Sequence, residues 1–314
     1  MTAVAKSGLG ALVCGAFLGF CGPSRLDGAW AHGLLLFSAL VLVPLMLELF
    51  VESDETGAPA QWLAMVRRWQ FPAAFLLAVA CGLSSGLLAA GLALPWVVLT
   101  AGLAVVGIAR VKRAQLRRPL DGLCADAALI FLGVGGGWVL LERAGLSPLG
   151  FDPTIVTLTA VHFHYAGLVL PLVAGRVQRE LFFWRFPAQA AVGVVLGVPA
   201  VAFGITATKL GWGHNLEEAA GCGLALAGMA VAVLQVRIAL ESRRPMLTRW
   251  LLGISGASLF FGMVLAGLYA MGASGVVPWL GIPEMRLMHG TVNAIGFGLC
   301  GVIAWRRMGP ADPA

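Results

Sequence analysis

The chain has 314 residues, of which 59% are hydrophobic and only 11% charged, with a formal net charge of +6. A water-soluble domain carries about 25% charged residues, so this composition excludes an ordinary soluble fold and fits a polypeptide dissolved in a bilayer. The positive balance does not point to nucleic acid, because no basic stripe is interleaved with exposed aromatics.

Apolar runs long enough to span a bilayer recur from end to end. The first covers about Ser7–Gly22 behind Lys6. No A-x-A-like cleavage site follows it, so it reads as a short first span and not as a signal peptide. The second covers Ala31–Val51, and the polar stretch Glu52–Gln70 reads as a loop. A third and a fourth, Phe71–Leu92 and Pro95–Ala109, are joined by a chargeless turn. A basic loop with Arg110, Lys112, Arg113, Arg117 and Arg118 follows. The fifth to tenth spans are Gly122–Leu141, Pro153–Ala174, Pro187–Thr206, Asn215–Val236, Leu251–Met271 and Met285–Trp305. Pro199 predicts a kink in the seventh.

The expected fold is therefore all-α: one polytopic helical bundle over residues 1–314, with about ten transmembrane helices and both termini cytoplasmic. Of the 21 Lys and Arg residues, all but Arg25, Arg143, Lys209 and Arg286 then fall on the inner side. That is the positive-inside pattern, and it places the chain in a membrane such as the bacterial cytoplasmic membrane, with the lipid bilayer as its first partner. Trp96, Trp138, Trp184, Trp212, Trp279 and Trp305 read as an aromatic belt. The six cysteines are scattered singly and form no CxxC, so neither a disulfide framework nor a zinc site is expected. Gly193-xxx-Gly197 has the spacing that lets helices approach closely.

Within this topology the candidate site residues fall on the outer half. The five histidines are His32, His162, His164, His214 and His289. His162 and His164 lie about ten residues into the sixth span, roughly 15 Å below its outer end. Ionisable groups at that depth are costly and are usually functional. The two are about 200° apart on the helix, so they face opposite ways, and Thr159, His162 and Tyr165 form one stripe. His214, Glu217 and Glu218 open the eighth span, where Asn215 and Glu218 also resemble a capping pair. Arg286, His289 and Asn293 share a face of the tenth. Asp126 and Glu48 lie near inner ends, within reach of water or the basic loops. We expect one outward-facing hollow in which His162, Tyr165, Glu217, Glu218 and His289 handle protons, while His32, His164, His214, Arg286, Asn293 and Thr159 bind substrate.

Two stretches carry a resemblance to a known family. Val161-His-Phe-His-Tyr-Ala-Gly167 and Leu287-Met-His-Gly-Thr-Val-Asn-Ala-Ile-Gly-Phe297 resemble YndJ-like bacterial membrane proteins. That resemblance implies a polytopic fold and no particular activity. The tetrapeptide His162-Phe-His-Tyr165 is also similar to the helix of haem–copper oxidase subunit I whose opposed histidines bind two haems, although the rest of that pattern is missing.

These features support a cofactor-free membrane enzyme that uses His/Glu acid–base chemistry on a lipophilic small molecule, of the isomerase, cyclase or epoxide-opening type. A proton-coupled transporter or permease is the first alternative. A haem- or metal-binding redox protein is the second.

Overall fold

The computed structural model describes residues 1–21, 26–50, 57–114, 118–241, 243–272 and 280–309. Arg25, Arg117 and Trp279, named above, lie outside them. All regular structure among the described residues is helical. This follows from the solvent: in hydrocarbon a backbone must satisfy its own N–H and C=O groups, and a helix does so within one segment.

The helices gather into two compact units. The first comprises residues 1–118 and 125–168, and the second residues 119–124 and 169–314. The first holds α1 (Ala3–Cys21), α2 (Leu26–Phe37), α3 (Val43–Met46), α4 (Ala58–Cys81), α5 (Leu87–Ala114), most of α6 (Leu120–Arg143) and α7 (Pro153–Tyr165). The second holds α8 (Val169–Glu180), α9 (Arg185–Lys209), α10 (Asn215–Glu241), α11 (Met246–Met271), α12 (Ile282–Met285) and α13 (Cys300–Met308). Nine helical passages among the described residues are long and apolar enough to cross a membrane. α4, 24 residues long, carries Arg67, Arg68 and Gln70 around its middle and is not among these nine, against the ten expected.

The third and fourth passages differ from expectation. The turn between them is Gly82–Gly86, not the stretch before Pro95, and Pro95 lies inside α5. The helix of the third passage begins at Ala58, within the expected loop. Two glycines and two serines make the earlier site the better turn. α9 runs continuously through Pro199.

Three interruptions of α-helix have identifiable causes. Between α2 and α3, Ser38–Leu42 is π-helical, with Val43 N–H bonded to the Ser38 carbonyl. Pro44 has no N–H for the Leu40 carbonyl, and the ladder slips by one residue. Gly10 of α1 lies directly on that carbonyl, where a Cβ could not fit. Between α7 and α8, Ala166–Leu168 forms a turn in which Gly167 N–H bonds the His162 carbonyl at 3.1 Å; Pro171 again removes a donor. The last passage is π-helical over Arg286–Gly290 and Val292–Leu299. There Asn293 Nδ2 donates to the His289 carbonyl at 2.9 Å, competing with the backbone for its acceptor.

Small residues set the helix contacts. In the second unit Gly193 and Gly197 of α9 lie against Ala227 and Leu224 of α10, as their spacing predicts. In the first unit Gly133 and Gly136 of α6 face Ala104 and Thr100 of α5. All six cysteines are free.

Candidate functional site

α7 starts where Asp152 Oδ1 accepts the Thr154 N–H at 2.8 Å, a side-chain N-cap ahead of Pro153. Its two histidines face opposite ways, as their spacing predicts. His162 is exposed, and its Nδ1–H donates to the Leu158 carbonyl at 2.7 Å. His164 is fully buried at 0% exposure. Its Nδ1–H donates to the Ala160 carbonyl at 2.8 Å, and its Nε2 accepts the Trp96 indole N–H at 3.2 Å. This pattern defines the neutral Nδ1–H tautomer.

His162 and His164 therefore share no hollow. In the stripe with His162, Thr159 donates to the Ile155 carbonyl at 2.7 Å, and Tyr165 OH donates to the Leu34 carbonyl at 2.8 Å. The Tyr165 bond ties α7 to α2, and Ser38 Oγ, donating to the His164 carbonyl at 3.2 Å, ties it to the π-helical turn after α2. Trp96 is 1% exposed and belongs to the core, not to a belt. Gly135 makes room for this arrangement, since a Cβ there would lie 2.9 Å from His164 Nδ1. The His164 Nε2 lone pair, which a haem iron would need, is engaged by Trp96 in this structure.

A second cluster in the same unit joins His32 to Glu142 and Arg143. His32 Nε2 stands 3.1 Å from Glu142 Oε1 and 3.1 Å from Arg143 Nη2. Arg143 Nε and Nη2 grip both carboxylate oxygens of Glu142. Arg143 Nη1 also donates to the Ala80 and Leu83 carbonyls at 2.9 and 3.2 Å, closing the end of α4. Side-chain exposures are 18% for His32, 11% for Glu142 and 5% for Arg143.

Local sequence explains the placement. Gly145, at φ 74°, ends α6 in a Schellman turn, with Gly145 N–H on the Glu142 carbonyl and Leu146 N–H on the Leu141 carbonyl. Glu142 thus sits at the negative end of a helix dipole, where only cations can hold it. Sequence reasoning found His32 and counted Arg143 as a loop charge, but it missed Glu142. The available signal was an adjacent Glu–Arg pair two residues before a helix-ending glycine. Asp126, fully buried on α6, pairs with Arg118 at 2.9 Å and Arg110 at 3.6 Å, so it does meet the basic loop.

The second unit holds the remaining candidates. His289 Nδ1–H donates to the Gly262 carbonyl of α11 at 2.7 Å, and Asn293 lies over Gly262, which has no room for a Cβ. Arg286 is half-buried one turn earlier. His214 is exposed and stands at the N-cap place of α10, its carbonyl accepting the Glu218 N–H at 2.9 Å. Asn215 is the first helical residue, so it is not the cap, while Glu217 and Glu218 lie in the first turn as expected. Trp305 is 4% exposed and donates to the buried Gln235 at 3.4 Å, again a core residue and not a belt residue. Among the described residues no group of three or more His, Cys, Asp or Glu side chains converges to hold a metal.

Comparison with known proteins agrees with the sequence resemblance. Residues 33–297 match the family model of the YndJ-like proteins. The uncharacterised membrane protein YndJ of Bacillus subtilis (strain 168) is 28% identical over 302 residues, which make up 96% of this chain and 53% of that protein. The chain thus spans about half the length of the curated relative it matches. No solved structure matches. With most of its length matched and its helices suited to a bilayer, this integral membrane protein belongs to the YndJ-like family.

Proposed function

We propose that the chain is a membrane-embedded acid–base enzyme acting on a lipophilic small molecule, with His32 and Glu142 as its proton-transfer pair. One observation carries the reading: a histidine nitrogen 3.1 Å from a carboxylate that an arginine grips through both oxygens. Arg143 fixes Glu142 by contacting both of its carboxylate oxygens. Glu142 orients His32 through their contact at 3.1 Å. His32, the more exposed of the pair, exchanges the proton with substrate. An imidazole hydrogen-bonded to a fixed carboxylate is a pairing suited to general acid–base work. Isomerisation or cyclisation needs such a pair together with exclusion of water. The charge bias of the loops assigns this cluster to the outer side.

A second reading, proton-coupled transport, is favoured by the interrupted helices, since transporters bind cargo at broken helices. The π-helical stretches occupy the second passage of the chain and its last. These are not equivalent positions of two repeats, so the enzyme reading takes precedence.

The test is untargeted metabolite and lipid profiling of cells that express the wild-type chain, His32→Ala or Glu142→Gln. The wild type should convert one lipophilic species into an isomer or cyclised product. Either variant should abolish the conversion while still inserting in the membrane. A His32→Ala chain that gives the wild-type profile removes the pair from the chemistry. Substrate movement without chemical change would establish transport.

A further inference from the structure

In the first unit a cavity of about 150 Å³ opens where α1, α3 and α4 meet. Lys6 of α1, Pro44 of α3, Glu48 after it, and Arg67 and Gln70 of α4 line it. Its volume leaves room for a small polar group. Lys6 Nζ donates to the Arg67 backbone carbonyl, and Arg67, itself exposed, lines the same cavity. The positive end of the α1 dipole lies there as well, with Thr2 capping the helix through the Ala5 N–H at 3.2 Å.

Gln70 adds a second, independent requirement. It is 1% exposed, and its Nε2 donates to the Ala39 carbonyl at 2.6 Å. That bond fixes the amide orientation, because a carbonyl demands a donor. Oε1 is then left buried with no hydrogen-bond partner in the protein. A buried acceptor of this kind is costly unless something donates to it.

We propose that this cavity binds the phosphoglycerol headgroup of an anionic membrane lipid. The phosphate lies between Lys6 and Arg67, and a glycerol hydroxyl donates to Gln70 Oε1. Lys6 and Arg67 outnumber the one carboxylate of the lining, Glu48, which favours an anion, but an anion alone would leave Oε1 unmatched. A neutral polyol would do the reverse. A phosphate ester of a polyol meets both needs. Lys6 and Arg67 belong to the basic set that marks the inner side, where anionic headgroups are met, and this favours a lipid over a soluble ester.

The test uses the full chain, purified and delipidated, with retained lipid read by native mass spectrometry. Phosphatidylglycerol, phosphatidylmethanol (anionic, without the hydroxyls), phosphatidylcholine and soluble glycerol phosphate are offered in turn. Wild type should retain phosphatidylglycerol roughly tenfold more tightly than either other lipid, about the effect of one charge-assisted or otherwise unmade hydrogen bond. Lys6→Gln and Arg67→Gln should abolish the preference over phosphatidylcholine. Gln70→Leu should abolish only the preference over phosphatidylmethanol. The comparison among lipids on the wild type stands even if the Gln70 variant misfolds. Equal retention of the three lipids overturns the proposal. Glycerol phosphate binding as tightly as the lipid assigns the cavity to a soluble ester and overturns it too.

Discussion

Trp96 and His164 meet with their rings 5.9 Å apart at 21° and share an N–H···N hydrogen bond of 3.2 Å in a fully buried place. Trp96→Phe keeps the ring and removes the donor, leaving His164 Nε2 unsatisfied. The expected cost is about 1–3 kcal/mol in resistance to unfolding, read by denaturant titration in detergent. His164→Leu added to Trp96→Phe should recover part of that loss, because both polar partners are then gone. A double variant that is simply the sum of its parts would show the hydrogen bond to be unimportant.

Arg143 and Glu142 are 5% and 11% exposed and depend on each other. Removing one partner strands a charge, so Arg143→Met should cost about 3–5 kcal/mol. Arg143→Lys should rescue little, since an ammonium cannot grip both Glu142 oxygens while closing the end of α4. Thermal midpoints of the purified variants check this. A fully stable Arg143→Lys chain would mean that charge alone suffices.

Two glycines on α6 should respond oppositely to alanine. At Gly135 a Cβ would lie 2.9 Å from both His164 Nδ1 and Phe163 Cβ, whereas at Gly137 nothing lies within 4 Å. Gly135→Ala should destabilise by about 1–3 kcal/mol through overpacking. Gly137→Ala should be neutral or stabilising by up to about 1 kcal/mol, the helix-propensity difference. Matched thermal melts of the two variants decide it.

Asp152 offers a pH test outside the membrane-spanning segments. Hydrogen bonds from Thr154, side chain and backbone, hold its carboxyl below the usual carboxylate range. A depressed carboxyl supports the fold above its unfolded value and loses that support as pH falls through the folded one. Hydrogen exchange in the first turn of α7 should therefore speed up on acidification. Asp152→Asn should keep the cap and flatten the pH response, and Asp152→Ala should fray the turn at every pH.

Much of the architecture could be read from hydropathy, because a spanning helix leaves a run of about 20 apolar residues in the sequence. Arg67 and Arg68 look like loop charges by composition, yet they lie inside α4, which set the third and fourth passages off by about ten residues. The opposed histidines of α7 followed from helical periodicity alone. Their environments did not, because Trp96 is distant in sequence and looks like any membrane-interface tryptophan. Glu142 was illegible for a similar reason. Its partner His32 lies 110 residues away, and only the Schellman turn at Gly145 brings the carboxylate to it. The π-helical stretches were hidden because every stripe was drawn at 3.6 residues per turn.

Those wider turns give the last passage slack. A segment wound i→i+5 holds one residue more than its α-helical equivalent. Losing a single amino acid within Val292–Leu299 can be absorbed by rewinding, leaving Trp305 facing the same neighbours. The same deletion in α11, already wound tightly, would rotate everything beyond it by about 100° and turn buried side chains outward.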